Sequence, residues 1–354
     1  MSNLSILVVS KTAQLLSELL RSIPNALQGF SGDVEVLCSW NGSAEEEQSV
    51  AIPAGIEFYF SQRTPYHFAS NCNQLAQQAC GDLLLFINDD LTLDPGSIHA
   101  AIETLELSNQ CGIVGAKLIN KAGKVGHAGI LFDHTHKPFH RYLDSPVDHP
   151  LTERTERVPA ATGAFLLTRA RDYARCPMNE TYINNGEDVE LCLAYKTMLG
   201  LHTYICHRTT GKHPERSTRG KQNTDTGFGN DNSADLARMR KFRQQFLANL
   251  SREDIAQELD LANRESSWRD QKIATLAADL QREQIRNDEA LSKDVLAHAN
   301  SEQLISLQRT HSEQALDKAR RDAELEISQS EQIAERARQR ALAWKQTFRS
   351  NRNI

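Results

Sequence analysis

The sequence predicts an α/β fold, a sheet covered by helices on both faces, followed by a long α-helical C-terminal tail. Three observations carry this. Leu83-Leu84-Leu85-Phe86-Ile87 is an unbroken apolar run between Gly81-Asp82 and Asn88-Asp89-Asp90, too short for a helix and bounded like a strand buried on both sides. Up to about residue 230, Gly, Pro, aromatic and β-branched residues punctuate the chain at the short intervals of alternating strands and helices. From Asn230 to Ile354 there is neither Gly nor Pro, and Ala, Gln, Glu, Leu and Arg dominate, which favours helix throughout. The expected organisation is a folded domain over 1–229 and a helical region over 230–354.

With 354 residues, 40% of them hydrophobic, the chain can bury one sizeable core and has length left over. Its net charge of −6 gives no global reason to expect a nucleic-acid partner. The seven cysteines are scattered, odd in number and without a Cys-x-x-Cys pair, which points to reduced thiols in the cytoplasm. The apolar stretch Leu4 to Val9 is too short for the core of a signal peptide, and no run approaches the ~20 apolar residues of a membrane span.

In chain order, Leu4 to Ser10 reads as the first strand and Thr12 to Ile23 as its helix, with Leu15, Leu16, Leu19, Leu20 and Ile23 on one face and Pro24 closing it. Val34 to Cys38 is the second strand, ending in the turn cluster Ser39-Trp40-Asn41-Gly42-Ser43; Glu45 to Gln48 reads as a solvated connection. Ile56 to Phe60 is a third strand, leading to a loop with Arg63, and Phe68 to Cys80 a helix. After the central strand, Asp94-Pro95 starts a helix. Ile113 to Ile119 and Val125 to Phe132 read as a hairpin, 133–157 as a polar surface loop, and Phe165 to Leu167 as a strand. Glu187 to Leu199 reads as a helix with acids in its first turn and Gly200 as its stop. A last strand, Thr203 to Cys206, runs into a basic segment containing His213.

Three elements suggest metal-assisted transfer: Asn88-Asp89-Asp90 at a strand's carboxyl end, Glu187-Asp188 opening a helix, and His213 in a basic loop. Ligands of open α/β sheets bind at such strand ends. A carboxylate and an imidazole can both ligate Mn²⁺ or Mg²⁺, with diphosphate oxygens completing the shell, and a carboxylate kept off the metal can deprotonate a hydroxyl. Each piece alone has a plainer reading, as a turn cap, as first-turn charges or as a surface histidine.

Taken together, residues 4 to 220 resemble the inverting family 2 glycosyltransferases of the GT-A fold, a Rossmann-like mixed sheet flanked by helices. The nearest resemblance is to the bacterial branch that builds O-antigen, rhamnosyltransferase-like members included. The resemblance lies in Phe68 through Asp90, Val114-Gly115-Ala116-Lys117-Leu118, His127-Ala128-Gly129, Thr162-Gly163-Ala164, Glu187 through Leu193, and His213 through Gly220, in that order. It implies Asp90 and His213 as metal ligands, Asp188 as general base with Glu187 beside it, and Asn88 near the nucleotide ribose with Asp89 adjacent. Val9, Ser10, Asn41, Arg63 and Asn73 are implied to line the nucleotide site. The implied cofactor is Mn²⁺ or Mg²⁺, the donor a nucleoside-diphosphate sugar, and the acceptor a growing glycan or lipid-linked hydroxyl. Three positions depart from the family pattern: Trp40 replaces an acid, Leu75 a glycine and Ala194 an arginine.

In the tail, Leu236, Met239, Phe242, Phe246 and Leu250 form a stripe expected to pack back on the domain. Beyond it, intermittent apolar spacing and balanced charge predict either a coiled coil between chains, hence a homo-oligomer, or a hairpin folded on itself. The rival reading is a coiled-coil scaffold whose domain binds nucleotide sugar, or nothing, without catalysis. The expected location is cytoplasmic, extending to the periphery of the inner face of a membrane.

Overall fold

The computed structural model describes residues 2–61, 65–214, 233–297 and 302–350. The chain divides into two compact units, Met1–Ser251 and Arg252–Ile354.

The strands of the first unit are Leu4–Ser10 (β1), Val34–Trp40 (β2), Glu57–Phe60 (β3), Leu83–Asn88 (β4), Thr92–Leu93 (β5), Cys111–Ile119 (β6), Val125–His127 (β7), Ile130–Phe132 (β8), Pro138–His140 (β9), Glu156–Val158 (β10), Phe165–Arg169 (β11) and His202–Lys212 (β12). Its helices are Ala13–Ala26 (α1), Ala44–Gln48 (α2), Phe68–Gln78 (α3), Ser97–Glu106 (α4), Ala170–Arg175 (α5), Glu187–Ala194 (α6) and Ser233–Ala248 (α7). The main sheet runs β10-β12-β6-β11-β4-β1-β2-β3, with β5 added to β12 and β7 to β6. It is mixed: β4, β1, β2 and β3 are parallel neighbours, and β11 is antiparallel to both β4 and β6. This is the Rossmann-like mixed α/β sheet that the sequence predicts.

Side chains alternate across each strand. Ile6 and Val8 of β1 and Leu85 and Ile87 of β4 join a core under α1 and α4, whereas Leu7, Val9, Leu84 and Phe86 join one under α3, α6 and α7. Each such fully buried side chain stabilises the fold by about 1.5–3 kcal/mol. The predicted stripe of the tail belongs here: Met239 and Phe246 are buried in the second core, with Leu236, Phe242 and Leu250 packed against it. The helical region therefore begins with a helix of the first unit, and the sequence-derived division at 229/230 lies outside the described residues.

Several local expectations change. Helix α1 continues past Pro24 to Ala26, because proline removes only its own N–H while Leu27 N still bonds Ile23 O at 3.0 Å. The acidic stretch after Ser43 is a short exposed helix, capped by the Ser43 side chain on Glu46 N. The segment Val125 to Phe132 is not one strand: Gly129, at φ +104°, turns it, so that β7 pairs with β6 and β8 with β9. The 133–157 stretch contains β9, a 3-10 turn at Pro150–Thr152 and β10. The last strand reaches Lys212 through a register shift between Cys206 and Thr210, which carries the chain back to the strand-end cluster.

The second unit consists of Arg252–Ala297 (α8) and Glu302–Ser350 (α9). Arg338 pairs with Asp270 at 3.0 Å and Lys272 with Glu326 at 3.9 Å. Ascending positions on α8 meet descending positions on α9, so the helices run antiparallel within one chain.

Candidate active site

The site is built where three parallel strands end side by side. Register places Val9 of β1 opposite Asn88 of β4, and Ser10 opposite Trp40 of β2. Val9, Ser10, Asn41, Asn88 and Asp89 thus share one edge of the sheet. Asn41 N donates to Ser10 O at 2.7 Å, and Ser10 Oγ donates to Asp89 Oδ2 at 2.7 Å. The latter bond gives Asp89 a definite position, tying the end of β4 to the end of β1. Burial, reinforced by the charge of Asp90, pushes the Asp89 carboxyl up to about 6 against the opposing Ser10 bond.

Asp90 is buried beside it. Strand β5 follows immediately and pairs with Gly211 and Lys212 of β12. That pairing delivers the next residue, His213, whose Nε2 lies 3.1 Å from Asp90 Oδ1. His213 N also donates to Ile119 O at 2.8 Å, fixing its backbone.

Asp188 lies on the other side of the same strand end, in the first turn of α6. Its Oδ2 accepts from Gly163 N at 2.6 Å and its Oδ1 from Val189 N at 2.7 Å. One residue further, Ala164 O accepts from Asn88 N at 3.1 Å. The Thr162-Gly163-Ala164 turn therefore joins the end of β4 to Asp188. The approach is close: a Cβ at residue 163 would stand 3.2 Å from Asp188 Cβ and 3.4 Å from its Oδ2, so a larger residue would have to displace the Asp188 side chain by a few tenths of an ångström.

The turn rests on an imidazole pair, buried His127 and half-buried His140. His127 Nε2 lies 3.4 Å from Thr162 N, and His127 Nδ1 is 2.7 Å from His140 Nδ1. Burial and neighbouring positive groups hold His127 well below the ordinary histidine range, and burial followed by His213 lowers His140 to about 4. Both rings are neutral at pH 7.

The remaining sequence-derived residues fall elsewhere. Asn73 donates to Met178 O at 2.9 Å and Glu180 Oε1 at 2.8 Å, and accepts from Tyr173 OH at 2.6 Å, so its amide faces the 173–180 loop. Glu187 is buried, and its charge acts on the Cys72 thiol of α3, which burial already raises. Arg63, and Glu215 through Gly220 of the closing motif, lie outside the described residues. The three departures are core residues: Trp40 packs edge-on to Phe60 at 5.8 Å and bonds Ser43 O, and Leu75 and Ala194 are buried. The bridging role of Gly163 and the Ser10–Asp89 bond have no signature in the sequence beyond the residues themselves.

Among the described residues, no group of three or more His, Cys, Asp and Glu is gathered to hold a metal ion. Asp90 and His213 supply two donors of suitable chemistry. Their atoms meet at 3.1 Å, so one imidazole nitrogen and one carboxylate oxygen lie together at the strand end. The pair fits two protein ligands of Mn²⁺ or Mg²⁺, with the rest of the shell left to substrate and water.

No protein-family model matches the chain. The O-antigen biosynthesis protein RfbC of Myxococcus xanthus is 28% identical over 214 residues, 57% of this chain. The match spans only 17% of the length of that protein. Among solved structures, the chain is similar to the mannosyltransferase PcManGT from Pyrobaculum calidifontis in complex with GDP-Man and Mn²⁺, at 13% identity and a TM-score of 0.46, over 96% of this chain and 87% of that one. It is also similar to GalNAc-T7 with UDP, GalNAc and Mn²⁺, at 12% identity and a TM-score of 0.46, over 60% and 44% of the respective chains. Likeness at this level assigns no residue a role.

Proposed function

We propose that the chain is a metal-dependent, inverting glycosyltransferase of the GT-A fold and of family 2, in its O-antigen or rhamnosyltransferase-like branch. It moves a sugar from a nucleoside-diphosphate donor to a hydroxyl of a growing surface glycan or lipid-linked acceptor. The observation that carries this reading is the convergence on one strand end of the Asp90–His213 pair and, across the Thr162–Ala164 turn, the Asp188 carboxylate. The O-antigen biosynthesis name of the 28% identical relative supports the glycan assignment.

Asp90 and His213 would hold Mn²⁺ or Mg²⁺, which supplies charge neutralisation to a diphosphate leaving group. Val9, Ser10, Asn41 and Asn88, at the ends of the adjacent strands, face the nucleotide. Asp188 takes the proton of the acceptor hydroxyl, and that oxygen bonds to the anomeric carbon. The bond from that carbon to the diphosphate oxygen breaks, its electron pair leaving with the nucleoside diphosphate. A single displacement inverts the anomeric centre. The N–H donors of Gly163 and Val189 fix which carboxylate lone pair of Asp188 faces the acceptor.

All seven cysteines are free thiols, which suits a reducing cytoplasmic location at or near the inner face of a membrane; among the described residues no helix is long and apolar enough to cross one. Self-association through the helical region is part of this reading and rests on the intermittent apolar spacing of its sequence.

The test is release of nucleoside diphosphate from a panel of UDP-, GDP- and dTDP-sugars with Mn²⁺ or Mg²⁺. Release by wild type that is lost in Asp90→Ala and Asp188→Asn is expected. Absence of both donor binding and turnover by wild type with metal present overturns the proposal.

A further inference from the structure

Three consecutive backbone N–H groups, of Ile183, Asn184 and Asn185, converge on one carboxylate, that of Asp235 in the first turn of α7. Asn184 N donates to Asp235 Oδ2 at 2.8 Å, Ile183 N to the same oxygen at 3.2 Å and Asn185 N at 3.4 Å. Successive N–H groups turned to one side form a concave anion seat. Here a side chain from a distant helix occupies it, and Asp235 is 3% exposed. Arg238, one turn on, grips the same loop: its Nη1 donates to Thr181 O at 2.7 Å and its guanidinium lies 5.3 Å from the centre of the Tyr182 ring.

The loop so held leads directly into Gly186, at φ +110°, and then Glu187 and Asp188. Gly186 is enclosed by both partners of this contact: a Cβ there would stand 2.8 Å from Tyr182 Cε1 and 3.7 Å from Met239 Sδ of α7. On its far side the Tyr182 hydroxyl donates to Glu190 of α6. The start of α6 is therefore fixed from outside by α7 and from the sheet side by Gly163, and Asp188 lies between the two restraints.

We infer that Asp235 is a positioning residue for the Asp188 carboxylate, so that α7, which follows the sheet domain in sequence, is part of the catalytic unit. This rests on Asp188 as the general base. Loss of the carboxylate removes the common acceptor of three part-buried N–H groups and frees the 181–186 loop to move the first turn of α6. The nucleotide end, at Asp90 and His213, is held by β5 and β12 and does not depend on α7.

The experiment compares Asp235→Ala and Asp235→Asn in the full chain. Hydrolysis of the donor that wild type turns over is followed with Mn²⁺, water taking the acceptor's place, and amide hydrogen exchange over 181–190 is measured on the same preparations. Asp235→Ala is expected to lower kcat by about 10- to 100-fold, as small misplacements of catalytic groups do, with the donor KM unchanged. The 183–185 amides are expected to exchange at least about tenfold faster. Asp235→Asn keeps one carbonyl oxygen where Oδ2 stands and is expected to restore most of both. Equal losses in kcat and donor affinity, or faster exchange with undiminished kcat, overturn the positioning role. If Asp235→Ala does not fold, Asp235→Ser, whose shorter side chain withdraws the acceptor from the three N–H groups, takes its place and is read by the same outcomes: reduced kcat at unchanged KM with faster exchange supports the role, and faster exchange with undiminished kcat refutes it. No turnover by wild type refutes the transferase reading itself, and the exchange measurement then still decides whether Asp235 holds the loop.

Discussion

Asp89→Asn should stabilise the metal-free protein at pH 8. In the fold, burial and the adjacent Asp90 charge raise the Asp89 carboxyl from an ordinary 3.8 to about 6. A group whose folded value lies above its unfolded value binds more protons in the native state between the two, so stability falls as pH rises from about 4 to about 6. A shift of roughly two units corresponds to about 3 kcal/mol at most, present as a cost at pH 8 and absent near pH 3. Asparagine removes the charge while its side-chain oxygen can still accept from Ser10 Oγ, now 2.7 Å from Asp89 Oδ2. A gain of about 1–3 kcal/mol is expected, or roughly 3–9 °C in Tm for a unit of this size. Thermal unfolding of wild type and variant in EDTA at several values between pH 4 and 8 measures it, and the difference between the two curves isolates Asp89. A difference that does not vary with pH, or an Asp89→Asn protein less stable than wild type at pH 8, refutes the reasoning.

The imidazoles act in the opposite direction. His140, lowered from 6.5 to about 4, contributes stability above pH 6.5 that is lost as pH falls toward 4, up to about 3 kcal/mol; His140→Asn should flatten the acid limb of the stability curve, and an unchanged limb would remove His140 from the account. Gly163→Ala places a methyl 3.2 Å from Asp188 Cβ and should lower kcat about 10- to 100-fold with donor binding, followed calorimetrically, unchanged; wild-type turnover would show that the turn does not set the position of Asp188. Light scattering of the full chain against a chain ending at Ser251 tests association through α8 and α9: a monomer in both cases sinks it.

The mixed α/β architecture was readable because burial on both faces forces unbroken apolar strands such as Leu83–Ile87, and helix breakers mark the connections. The long helices were readable from the absence of Gly and Pro after Gly229. Asp90, Asp188 and His213 stood out by chemical type and by order along the chain. What the sequence could not show was which of these groups meet. His213 reaches Asp90 only because β12 continues past Cys206 through a register shift and pairs with β5. Register depends on pairing across the sheet, not on local composition. The bridge from Asn88 through Ala164 and Gly163 to Asp188 consists of backbone groups, which every residue carries and no motif advertises. Asp235 is a first-turn acid like many others, and only the docking of α7 by Met239 and Phe246 brings it to the loop before α6. The sequence by itself determined the main strands and helices and the stock of chemical groups, since these follow from local periodicity and residue type, but not the short strands β7 to β10. Tertiary packing decided that the Gly163 N–H faces Asp188 and that Ser10 meets Asp89, because those contacts join segments 25 and 79 residues apart.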